Sequence, residues 1–224
     1  MPDEMTALQH LGVTLDLLAT QIENVRAFYR QAVLDQQVQA GPGDQVQQRV
    51  RFDAPIGTPE ERVAAQLWPG KWFDATGYAA RYQVGTRPWA VHTGCDLNLN
   101  FPASNADAHS PVYAPADGTV VVADLLPVWG KVVVIAHALE DGTTIWSRLA
   151  HLEKFIVTKG QAMRRGDLIG TVGNAEGTQA WHLHYDLARI DLGAKPTDWP
   201  GDDETRVRRD YYDPLAFTRE RHAG

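Results

Sequence analysis

Two hydrophobic periodicities divide the chain. Leu8, Leu11, Leu15, Leu18, Ile22, Val25, Tyr29 and Ala32 recur at alternating steps of three and four, which places them along one face of a helix. The stripe predicts one amphipathic helix over about residues 6–39, ended by Gly41-Pro42-Gly43. Sustained over roughly four heptads, such a stripe is either a coiled-coil seam for self-association or a face packed on the rest of the chain. Leu17, Phe28, Val33 and Leu34 widen it beyond a seam and favour packing.

From Val91 the pattern shortens. Residues 119–123, 131–136, 143–149, 168–172 and 181–188 read as strands between turns at Asp117-Gly118, Asp141-Gly142, Lys159-Gly160 and Gly173-Asn174. Short strands at this spacing predict a mainly β domain, an antiparallel sandwich or barrel-like sheet, over residues 91–224. Its tail from Gly193 onward reads as irregular and charged. Residues 44–90 form a turn-rich connector in which Trp68, Trp72, Phe73, Tyr78, Tyr82 and Trp89 either pack on the sheet or frame a groove. Within it, Thr58 and Pro59 mark the N-cap and first position of a short helix. The expected organisation is a helix over 1–43, a connector over 44–90 and the β domain.

Composition narrows the function classes. The chain has 224 residues and a formal net charge of -7. That suits one domain plus an extension and argues against a nucleic-acid partner, which demands basic patches. A single cysteine excludes an internal disulfide. The start, Met1-Pro2-Asp3-Glu4, is acidic, and no apolar stretch is long enough for a signal h-region or a transmembrane segment.

The chemistry lies in three histidine clusters: His92-Thr93-Gly94-Cys95-Asp96, then His151, then His182-Leu183-His184. One carboxylate and four imidazoles suffice for a mononuclear metal site with acid/base groups beside it. On a strand, His182 and His184 share one face while Leu183 and Tyr185 take the other. The pair then serves as ligand plus neighbour, or as two ligands. Asp96 reaches the same ion from a loop if Gly94 lets the chain turn sharply. A lone histidine is most often a surface or satisfied core residue, and His10, His109 and His222 read as surface, His137 as structural. Cys95 reads as a small buried residue. Three clusters in glycine-bounded strand patterns carry more weight than any one.

Residues 91–214 resemble the lysostaphin-type zinc endopeptidases, the M23 family of peptidoglycan hydrolases. The resemblance lies in His92-x-Gly94-x-Asp96, the run from Pro111-Val112-Tyr113 through Asp117-Gly118-Thr119, and Ala150-His151-Leu152. It continues through Arg165-Gly166-Asp167-Leu168-Ile169-Gly170, His182-Leu183-His184-Tyr185 and Asp213-Pro214. It implies zinc held by His92, Asp96 and His184, with His151 and His182 as catalytic histidines, at the floor of a groove over one large sheet. The implied activity is zinc-dependent cleavage of peptide bonds in peptidoglycan cross-links or stem peptides. Peptidoglycan peptides are then the partner, and the expected location is extracellular or periplasmic, at odds with the absence of a visible signal peptide.

The alternative is a non-enzymatic wall-binding scaffold or activator of another wall hydrolase, with its groove blocked by the helix or the connector. The five intact side chains argue against it. A second resemblance, of residues 157–173 to biotinyl and lipoyl carrier sheets, leaves the histidines unexplained and offers no acceptor lysine at a hairpin tip. The chain departs from the M23 pattern at Asp186, where the family usually has Glu, at Leu149 in place of Tyr, and in Gln179-Ala180-Trp181 before the late pair. Asp186 is expected either to orient an imidazole or to sit at the surface. Trp181 is expected to line the groove or to pack.

Overall fold

Val132, Val133, Val134 and Ile135 form an unbroken apolar run, as a strand covered on both faces requires. In the computed structural model, which describes residues 49–63, 72–99, 103 and 105–222, Val133 and Ile135 enter one apolar cluster. Val132 and Val134 enter a second on the opposite face. The helix expected over 1–43, its self-association seam, His10 and Trp68 lie outside the described residues.

In chain order the elements are α1 (Pro59–Val63), β1 (Trp72–Asp74), β2 (Arg81–Val84), β3 (Arg87–Val91) and β4 (Cys95–Leu99). Next come β5 (Pro111–Tyr113), β6 (Gly118–Leu126), β7 (Gly130–Ala138), β8 (Thr144–Phe155), β9 (Ala162–Met163) and β10 (Leu168–Val172). β11 (Leu183–Ala188), α2 (Glu204–Asp210), β12 (Tyr211–Tyr212) and α3 (Pro214–His222) complete the chain. Among the described residues, ten strands form one antiparallel sheet with the backbone order β1-β4-β11-β8-β7-β6-β9; β2 and β3 form a separate hairpin.

The described residues are mainly β and the sheet is antiparallel, as expected, but it does not close into a barrel. β1 and β9 end the order, and no ladder joins them among the described residues. The sheet forks instead, because β8 is twelve residues long and, with β7 along one edge, divides its other edge between two partners. Trp146 to Ala150 pair with β11, while Leu152 to Phe155 pair with β10. Between them stands His151 with φ +63, where the β7–β8 register slips. That combination is a β-bulge, which bends a strand and re-aims a side chain. A Gly173–His182 bridge joins the two branches where they meet at the fork. A Cβ on Gly173 would lie 2.3 Å from the Glu153 amide nitrogen and 2.5 Å from the His151 oxygen, so only glycine fits in the crotch.

The tail is not irregular. Asp203 caps α2 by accepting from the Arg206 amide at 2.9 Å, and Asp213 caps α3 by accepting from the Leu215 and Ala216 amides at 3.0 Å. Pro214, with no amide to donate, opens α3. Between the helices Tyr211 and Tyr212 add β12 to the edge of β11. The dense charges there mark caps and helix faces rather than a loop. Upstream, Thr58 accepts from the Glu61 amide while Glu61 accepts from the Thr58 amide, a capping box that starts α1.

Candidate metal centre

β11 lies between β4 and β8, and its register decides what meets. His184 stands opposite Asp96 on one side and Ala150 on the other. Strand alternation sends Leu183, Tyr185 and Leu187 into the larger apolar cluster and leaves His182, His184 and Asp186 on the opposite face. Cys95 is buried, its sulfur against the Tyr185 carbonyl, while the next residue, Asp96, faces His184.

His92 reaches the same point from the turn before β4. Gly94 lies in the bend expected there, though with φ outside the left-handed region, and it serves a second purpose. A Cβ at Gly94 would stand 2.2 Å from the Tyr185 carbonyl oxygen and 2.6 Å from the Asp186 Cβ. Glycine lets the His92 turn lie directly on β11.

Three donor atoms then converge. His92 Nε2 is 3.0 Å from His184 Nδ1, and each is 3.1 Å from Asp96 Oδ1. The outward nitrogens set the tautomers. His92 Nδ1 faces the Gly77 carbonyl at 3.3 Å and His184 Nε2 faces Asp186 Oδ2 at 3.0 Å. Both partners only accept, so the outward nitrogens donate and the inward ones present lone pairs. Two lone pairs and a carboxylate oxygen facing one another call for a positive charge between them.

The titration of the cluster points the same way. Burial pushes the Asp96 carboxyl up, but contacts with His184 and His92 hold it well below the usual carboxylate range. Burial lowers the His184 imidazole, yet Asp186 and Asp96 together raise it above its ordinary value. His92, Asp96 and His184 can therefore hold a metal ion.

His151 and His182 stand beside this group without joining it. Their ring centroids are 4.7 Å apart, and His182 Nε2 is 3.6 Å from Asp96 Oδ1. Each has its Nδ1 on a carbonyl, Trp129 for His151 at 3.1 Å and Ala180 for His182 at 2.8 Å, leaving Nε2 as the nitrogen with a lone pair. Burial, then the neighbouring His184 and His182, push the His151 imidazole well below its ordinary value, so it rests neutral. A cavity of about 340 Å³ covers all five groups, walled also by Tyr82, Trp129, Val128 and Trp199. A larger cleft of about 830 Å³, lined by Arg189, Tyr212, Phe217 and Arg221 among others, shares none of these walls.

Asp186 is fully buried rather than at the surface, and its Oδ2 also accepts from Thr93 Oγ at 2.9 Å and from Arg148. Burial pushes this carboxyl up; the Arg148 guanidinium and then His184 hold it below the usual range. Trp181 is half-buried, with its ring 4.7 Å from that of exposed His109. His137 is a satisfied core histidine, donating from Nδ1 to the Asp117 carbonyl and accepting from Ser147. The His222 side chain lies outside the described residues. The histidine clusters and strand patterns of the sequence do not point to Trp129 or Arg148. The available signal was one charge inside each of two buried strands, Arg148 and Asp186, since such charges are paired.

Residues 90–198 match Peptidase family M23, and the chain carries a domain of that family. It is 35% identical over 127 residues to the peptidoglycan DD-endopeptidase ShyA of Vibrio cholerae, a match covering 55% of this chain and 27% of the relative. To the murein hydrolase activator EnvC of Escherichia coli it is 31% identical over 96 residues, 43% of this chain and 22% of that one. The chain thus spans about a quarter of the length of these curated relatives. Among solved structures, a zinc containing peptidase from Vibrio cholerae superposes with a TM-score of 0.47 at 25% identity, over 62% of this chain and 37% of that one.

Proposed function

We propose that the chain is a zinc-dependent endopeptidase that hydrolyses peptide bonds in peptidoglycan cross-links or stem peptides. One observation carries this reading: two imidazole lone pairs and a carboxylate oxygen meet within 3.0 to 3.1 Å, beside two further histidines in one cavity. The M23 domain and the similarity to a relative named as a peptidoglycan endopeptidase support it.

The donor set suits zinc. Two ligands, each about 2.0–2.1 Å from a tetrahedral ion, stand roughly 3.3 Å apart, within a few tenths of an ångström of the spacing seen here. His92, Asp96 and His184 would hold the ion, and three protein ligands leave a coordination position open. Bound zinc supplies Lewis acidity, lowering the pKa of water and polarising the scissile carbonyl. His151 and His182 supply proton transfer. Either Nε2 takes a proton from the attacking water and, once protonated, hydrogen-bonds the developing oxyanion or delivers the proton to the leaving amine. The cavity's apolar walls strengthen these interactions by excluding water.

Peptidoglycan lies outside the cytoplasmic membrane, so this reading places the activity in an extracellular or periplasmic space. No helix among the described residues is long and apolar enough to cross a membrane. The similarity to a murein hydrolase activator supports a second reading, in which the chain activates another wall hydrolase and cuts nothing itself. Purified peptidoglycan incubated with the zinc-loaded protein, with and without a chelator, separates the two. Hydrolysis predicts chelator-sensitive release of fragments whose masses identify the bond cut. No release, with stimulation of a separate wall hydrolase, would establish the activator.

A further inference from the structure

We propose that Arg148 is a positioning residue for the metal centre, acting through Asp186 on His184; this rests on the zinc reading above. Arg148 sits on β8 directly opposite Asp186 on β11, with both side chains fully buried. A buried guanidinium must find acceptors for its fork of donors. Here Nη2 donates to Asp186 Oδ2, and Nη1 donates to the Pro196 and Asp198 carbonyls, both at 3.0 Å. Its flat face lies 3.6 Å from the centroid of the Trp129 ring.

Each contact leads to the site. Asp186 Oδ2 is the oxygen that accepts from His184 Nε2 and thereby turns the His184 Nδ1 lone pair inward. The Trp129 carbonyl accepts from both the amide and Nδ1 of His151. The 196–198 segment contains Thr197 and leads into Trp199, and both wall the cavity. One guanidinium thus ties a ligand's orienting carboxylate, the residue that holds His151, and the cavity wall into a single unit. Lysine cannot replace it, because an ammonium has neither the planar fork nor the stacking face.

A purely structural arginine would only neutralise Asp186 and fill space. Zinc affinity, measured by competition with a chromophoric chelator on folded protein, distinguishes the roles. Arg148→Lys keeps the charge and is expected to weaken zinc binding about 10- to 100-fold, as losing an outer hydrogen bond to a ligand does. Because Arg148 acts through Asp186, Arg148→Lys with Asp186→Asn should bind zinc no more weakly than Asp186→Asn alone. Affinity of Arg148→Lys within about twofold of the parent, or additive losses in the pair, would overturn the proposal. If Arg148→Lys does not fold, Arg148→Met with Asp186→Asn removes both buried charges together. Its zinc affinity must fall by the same factor, and parental affinity would sink the idea. Failure of the parent protein to bind zinc would instead reject the reading on which the proposal rests.

Discussion

His184 and Asp96 face each other across the β11–β4 ladder, with Nδ1 and Oδ1 3.1 Å apart. The ladder sets this pair, since a one-residue slip of β11 along β4 would turn His184 to the other face and leave Asp96 behind. Asp96→Ala should therefore abolish tight zinc binding and hydrolysis together. Zinc at about a hundred times its Kd should stabilise the parent by about 2.7 kcal/mol and leave the variant unmoved. Thermal unfolding with and without zinc is the check; an equal rise in both proteins would remove Asp96 from the ligand set.

His151→Ala and His182→Ala should keep zinc and lose about 10²- to 10⁴-fold in turnover, the range of a lost general acid or base. Metal content of the purified variants, set beside fragment release from peptidoglycan, reads both halves. Loss of zinc in either variant would move that histidine among the ligands.

Gly94→Ala tests the close approach of the His92 turn to β11. The added methyl would sit 2.2 Å from the Tyr185 carbonyl oxygen, a backbone atom that cannot swing aside. Overpacking of this kind costs about 1–3 kcal/mol, to be read from urea unfolding of the metal-free protein. Zinc affinity should fall as well, because the strand carrying His184 has to move. An unchanged urea midpoint would mean that the turn has slack.

His137 makes stability depend on pH. Burial holds its imidazole at about 4, against an ordinary value of 6.5, with the Asp117 carbonyl opposing the shift only partly. Between those values the unfolded chain binds the proton that the folded one refuses, so stability falls as pH drops through this window. The loss is at most roughly 3 kcal/mol. His137→Gln keeps a donor and an acceptor without titrating there, so the fall in its urea midpoint from about pH 7 to 5 should be shallower. Equal slopes would place the proton uptake elsewhere.

The strands that carry most of the core were readable in sequence because each is a local apolar pattern bounded by turns. The β patterns around 119–123, 131–136 and 168–172 correspond to β6, β7 and β10, the first two extending further than their apolar centres. The local strand pattern ends at Leu149, but β8 runs on to Phe155, because a bulge carries the strand through a backbone conformation that local propensity would not choose. The helices of the tail were hidden under their charge, although Asp203 and the Asp213-Pro214 pair held the capping signals. Trp129 was invisible as a site residue because its carbonyl, which no side-chain pattern encodes, is what holds His151.

Residue identity alone supplied the donor types, the alternation that turns His182 and His184 to one face, and the buried nature of their neighbours. These properties belong to one strand or one side chain and need no partner. Which donors meet was decided only in three dimensions, by the β4–β11 register, by the fork where β8 changes partner, and by the glycine contact that lays the His92 turn on β11. Each depends on backbone from distant parts of the chain coming within hydrogen-bonding or van der Waals range. So does Arg148, whose role depends on the oxygen atoms that surround it rather than on its place along β8.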